Sequence, residues 1–118
     1  MDKFQNINNK FEMEIERYSN YLNLDLYDIR YSFNNMWKFI SKIDYEKIAL
    51  EITPSNAVKF TIILKNEIVL SITKPFDKIE DLDENEVVFN LYLNRELLVS
   101  DTSKIDELVK RVNSYVKM

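Results

Sequence analysis

Near Lys47 the apolar residues of this chain change period, from the three-and-four spacing of a helix to the alternation of a strand. Before that point Phe4, Ile7, Phe11, Ile15, Tyr18 and Leu22 recur at intervals of 3, 4, 4, 3 and 4, one stripe of an amphipathic helix. Lys10, Glu12, Glu16 and Arg17 fall on its wet side. Asn23 can stop it, because asparagine tolerates the left-handed conformation common just past a helix end. Ile29, Phe33, Met36 or Trp37, Ile40 and Ile43 suggest a second helix. Residues 26–33 stay open between helix and strand, since Ile29, Tyr31 and Phe33 also alternate.

Beyond Lys47, Ile48, Leu50 and Ile52 share one strand face, opposite Lys47, Ala49, Glu51 and Thr53. Pro54-Ser55-Asn56 breaks this strand, and a second places Val58, Phe60, Ile62 and Leu64 on one face. Lys65-Asn66-Glu67 connects it to a third carrying Ile68, Leu70 and Ile72, closed by Pro75. Val87, Phe89, Leu91 and Leu93 form a fourth, and Asn94-Arg95-Glu96 turns into a short fifth, Leu97 to Ser100. Connections this short specify antiparallel neighbours, because parallel strands need a crossover of a dozen or more residues. Asp101, Thr102 and Ser103 offer N-caps for a last helix, with Asp106 and Glu107 suited to its first turn. Ile105, Leu108, Val109, Val112 and Val116 give its apolar stripe, and Lys110, Arg111 and Lys117 sit in later turns, where cations suit the dipole. The expected fold is α+β. A five-stranded, mainly antiparallel sheet carries N-terminal helices and a C-terminal helix packed on one face, in one domain spanning residues 1–118.

The chain contains no glycine, histidine or cysteine. Average usage would supply about eight glycines in this length. Their absence removes glycine-rich phosphate loops, imidazole and thiolate chemistry, and nearly every transition-metal site. Asn56, Asn66 and Asn94 stand in the turns, where asparagine tolerates the positive φ that glycine adopts freely. With neither a leader-like apolar stretch at the start nor an apolar run of bilayer length, the expected location is the cytoplasm, away from membranes. Net charge is −4, and the lysines and arginines are scattered, which argues against nucleic acid as a partner.

One segment is strongly biased. Asp77, Glu80, Asp81, Asp83, Glu84 and Glu86 are opposed by Lys78 alone. Asp81, Asp83 and Asn85 match the first three ligand positions of an EF-hand loop, but Glu86 and Tyr92 stand where that loop needs glycine and a bidentate glutamate. The segment is a solvated connection, with one helical turn around Ile79 to Leu82, that can serve as an acidic contact surface for a basic partner. Phe11, Phe33, Phe60 and Phe89 fall on inner faces, whereas Tyr21, Tyr27, Tyr31 and Tyr45 do not fit the inner stripes. Tyr27 and Tyr31, one turn apart, are candidate contact residues, because tyrosine joins apolar area to a polar tip. Trp37 is assigned to the core.

For catalysis there are carboxylates, lysines, tyrosines and hydroxyls, with no spacing that converges two acids on a pocket. Lys59 and Lys74 are the least ordinary lysines, and a serine nucleophile would lack a histidine base. No cofactor or metal site is expected. In element order and acidity, though in no motif, the chain resembles the small acidic type III secretion chaperones, which bind effector chains. The connection between Pro75 and Val87 is too short for the long helix of that family. The expected function is a non-catalytic protein-interaction domain of immunity, inhibitor, adaptor or chaperone type. It would use the acidic segment with Tyr27 and Tyr31. The alternative is a small-ligand binder or histidine-independent enzyme using carboxylates. A third arrangement is a homodimer in which a second copy covers an exposed sheet face.

Overall fold

A computed structural model describes residues 3–18, 26–53, 57–75 and 85–116. The elements run α1 (Lys3–Tyr18), α2 (Leu26–Ile40), β1 (Lys47–Thr53), β2 (Ala57–Ile63), β3 (Ile68–Pro75), β4 (Glu86–Leu93), β5 (Glu96–Lys104) and α3 (Ile105–Val116). The strands form one antiparallel meander in the order β1-β2-β3-β4-β5. The open choice over residues 26–33 falls to helix from Leu26 onward, because that period buries Ile29, Phe33, Met36, Trp37 and Ile40 together. Met36 and Trp37 are both core, rather than one or the other.

All three helices pack on the sheet face formed by Val58, Phe60, Ile62, Leu70, Ile72, Val87 and Phe89. At the centre Phe33 of α2 lies between Phe11 of α1, at 4.1 Å between ring centroids, and Phe60 of β2, at 6.1 Å. Trp37 stacks on Phe60 from the next helical turn, at 6.5 Å. One aromatic column therefore joins both N-terminal helices to the sheet. Buried rings of this size contribute large apolar area, with about 0.5–1.5 kcal/mol per favourable ring pair beyond it.

The helices are also fixed at their margins. Lys10 Nζ donates to the Ile48 carbonyl and Glu14 Oε2 accepts from the Ile52 N–H, both at 3.3 Å. These groups lie on the edge of β1, so α1 supplies a charged cover to a strand edge that would otherwise invite pairing. Arg30 of α2 forms a two-point contact with the Glu12 carboxylate of α1. Asn113 of α3 clasps the turn after α2, donating to the Lys42 carbonyl at 3.0 Å and accepting from the Asp44 N–H at 3.3 Å.

Two details of the C-terminal expectation are corrected. β5 does not end at Ser100 but continues to Lys104, so Asp101, Thr102 and Ser103 are strand residues rather than helix caps. They pair with Phe89, Val88 and Val87 of β4, and the ladder outweighs their capping preference. The helix begins at Ile105, whose N–H donates to the Asn85 carbonyl at 2.9 Å. Its last turn carries no basic residue, so Lys110 and Arg111 are mid-helix, and Lys117 lies outside the described residues.

The register also defines the opposite face. One cross-strand row runs Lys47–Ile63–Val69–Tyr92–Leu97 and the next Ala49–Thr61–Ser71–Asn90–Ser100. Among the described residues no helix packs on this side.

Phe33→Ala should lower the unfolding free energy by roughly 3–5 kcal/mol, the usual cost of emptying a buried phenylalanine site. Asn34→Ala, exposed on the same helix, should change it by less than about 0.5 kcal/mol. Urea unfolding of the two variants checks this, and equal losses would contradict the packing described.

Candidate functional site

The residues singled out from sequence do not form one cluster in the described structure. Tyr27 and Tyr31 sit one turn apart on α2 and are 73% and 52% exposed, so they present a paired aromatic surface to solvent. Of the acidic segment only Glu86 is described, at the start of β4, where its carbonyl accepts a 2.6 Å hydrogen bond from Lys74 Nζ. Asp77, Glu80, Asp81, Asp83 and Glu84 lie outside the described residues, as do Tyr21, Asn23 and Asn56. Tyr45 packs half-buried against the core, and burial pushes its phenol above the ordinary value. Lys59, in β2, pairs with Glu51 across the strands at 3.7 Å.

Where two hairpin turns meet, the expected positive φ is found at Asn66 and Asn94, and also at Glu67 and Arg95, which the residue pattern did not single out. Asn66, Glu67, Asn94 and Arg95 have φ of 62°, 62°, 51° and 72°, and they are the positive-φ residues among those described. A two-residue hairpin turn of type I′, one of the two matched to the strand twist, needs positive φ at both central positions. Asn94 meets one of these requirements at little cost, and Arg95 must meet the other. The β2–β3 connection repeats the pattern with Asn66 and Glu67. The Asn94 N–H donates to the Glu67 carbonyl at 3.4 Å, which ties the two turns together.

Glu67, Val69, Tyr92, Asn94 and Arg95 line an open cleft at this end of the sheet. Its chemistry is one carboxylate, one guanidinium, one amide, one phenol and the apolar Val69. That set can hold a polar group of either sign, but it lacks the carboxylate pair that glycoside hydrolysis requires. The missing signal was legible in principle: a glycine-free chain with two tight hairpins must place non-glycine residues in the left-handed region. Asparagine covers only half the positions. Among the described residues no three acidic side chains gather as a metal site, and no helix is long and apolar enough to cross a membrane. No family model, curated protein or solved structure matches this chain.

Arg95→Gly should raise the unfolding free energy by about 1 kcal/mol, the lower end of the cost of left-handed backbone at a residue bearing Cβ. Thermal or urea unfolding measures it. A variant less stable than the parent would show that the arginine side chain contributes more than its backbone costs.

Proposed function

We propose that this chain is a non-catalytic protein-interaction domain acting in the cytoplasm, of immunity, inhibitor, adaptor or chaperone type. The observation that carries this reading is the exposed pair Tyr27 and Tyr31 on a helix whose other face is fully committed to the core. The aromatic column and the Arg30–Glu12 contact hold α2 in place, so the two rings are offered on a rigid support. Rigid tyrosines lose little conformational entropy on binding and carry both apolar area and a hydroxyl. The acidic run from Asp77 to Glu86 supplies the electrostatic part, because such a charge pattern speeds encounter with a basic surface and selects against acidic ones. The partner's complementary surface is therefore basic, with apolar ground able to receive two rings.

The small-ligand alternative has a place in the cleft between the two hairpin turns, where Glu67 and Arg95 flank Val69 and Tyr92. It lacks the two convergent acids or buried lysine that would favour it, so the interaction reading is preferred.

Retention of a protein from extract of the native host on the immobilised chain tests the proposal. A partner should be held by the wild type and released more readily by Tyr27→Ala/Tyr31→Ala and by Asp81→Asn/Asp83→Asn/Glu84→Gln. Both variants should keep the wild-type circular dichroism. Undiminished retention by both, or no retained protein at all, would contradict it.

A further inference from the structure

We infer that the sheet face opposite the helices is the contact surface between two copies of this chain, in a face-to-face dimer. This surface is distinct from Tyr27 and Tyr31, and the inference does not rest on the proposed partner. The exposed side of an antiparallel sheet ordinarily alternates apolar inward with solvated polar and charged residues outward. Here the outward residues depart from that pattern. In a chain that is 31% charged, the rows through Ile63–Val69–Tyr92–Leu97 and Thr61–Ser71–Asn90–Ser100 carry no charged side chain from β2 to β5, and Lys47 of β1 stands at the end of the first. Val88, in the next row, is 36% exposed, Ile63 38% and Leu97 54%. Depletion of charge around an aromatic residue, here Tyr92, is a feature of interface centres.

The charge distribution selects a second copy as the occupant. Each chain carries −4, so two copies repel unless they meet where neither presents its excess acid. In a two-fold contact, a residue near the axis faces itself, and a charge there is repelled by its own image. The middle of this face satisfies that condition. Its charged residues stand at the margins: Lys47, Glu51 and Lys59 on the β1 side, Glu86 and Lys104 at the far corner, and Glu67 and Arg95 at the hairpin turns beside Val69 and Tyr92. Four are basic and three acidic, and Glu51 and Lys59 already pair with each other at 3.7 Å. A strongly basic or acidic partner would find little here to steer it, whereas a copy of the same surface meets no like charge at its centre.

The relief of the face suits sheet-on-sheet packing. Ser71, on the central strand, is 5% exposed beneath its neighbours, and its Oγ makes no hydrogen bond. It lies across the strands from Thr61 and Asn90, which are both less buried. Facing sheets interdigitate such relief at about 10 Å separation. The two sheet edges offer less. α1 covers β1, and on β5 a bulge opposite Leu91 and Tyr92 disrupts pairing while Asp101 Oδ1 takes the Thr102 N–H at 2.8 Å.

Sedimentation over roughly 1–100 μM, a range spanning common dimer affinities, tests the inference. The wild type should approach twice its 14.2 kDa mass, while Val88→Arg and Asn90→Arg should sediment as monomers with unchanged circular dichroism. Because the chain has no cysteine, single introduced thiols report proximity cleanly. Asn90→Cys should oxidise to a linked dimer, and Asn34→Cys on α2 should not. A wild type that stays monomeric throughout would overturn the inference, including one whose face is then covered by a different protein. So would arginine variants that remain dimeric, or preferential linking through position 34.

Discussion

The contact on which the rest of the molecule depends is the aromatic column through Phe11, Phe33 and Phe60, with Trp37 beside it. It joins residues from α1, α2 and β2 at the centre of the core. Phe33 is the hinge of this arrangement, since it touches the ring of one helix on one side and the ring of the sheet on the other. Once the column is formed, both N-terminal helices are committed to one face. α3 completes that layer through Ile105, Leu108, Val109 and Val112, and Asn113 locks it to the turn after α2. The bare outer face is the complement of the same choice.

Much of this was legible in period alone. The alternation from Ile48 to Leu93 contains the first four strands and their inward residues, and the three-and-four spacing at both ends contains the helices. Phe11, Phe33, Phe60 and Phe89 were assignable to the core because each lies on a stripe with several aliphatic neighbours. Residues 26–33 were ambiguous because two periods share Ile29 and Phe33. Only continuation to Met36, Trp37 and Ile40 on one helical face decides between them. The end of β5 was not legible. Asp101 to Lys104 carry no apolar alternation, and they are strand because β4 holds the other half of the ladder. The left-handed Glu67 and Arg95 were hidden for a related reason: their conformation is imposed by hairpin geometry rather than by their own preference.

The proposed contact surfaces divide in the same way. Tyr27 and Tyr31 could be singled out because they miss the inner stripe of a helix, which is a property of local sequence. The charge-poor centre of the outer face is invisible along the chain, where charged residues such as Lys59, Glu86 and Lys104 stand between its members. It emerges only when register places Ile63, Val69, Tyr92 and Leu97 side by side. A chain without histidine, cysteine or glycine lacks many familiar routes to catalysis, but it can still display two different surfaces from one sheet and one helical layer. The helical side carries exposed rings in charged surroundings, and the opposite side offers neutral, β-branched relief.

A double-mutant cycle between Phe33 and Phe60 tests the central role of the column most directly, because it isolates the helix-to-sheet coupling from the burial of either ring. Unfolding free energies of Phe33→Leu, Phe60→Leu and the double variant should depart from additivity by at least about 0.5 kcal/mol, within the range for interacting aromatic pairs. The double variant should lose less than the sum of the single losses. Strict additivity would show that the two rings act independently, and that the helices are held to this face by something other than the column.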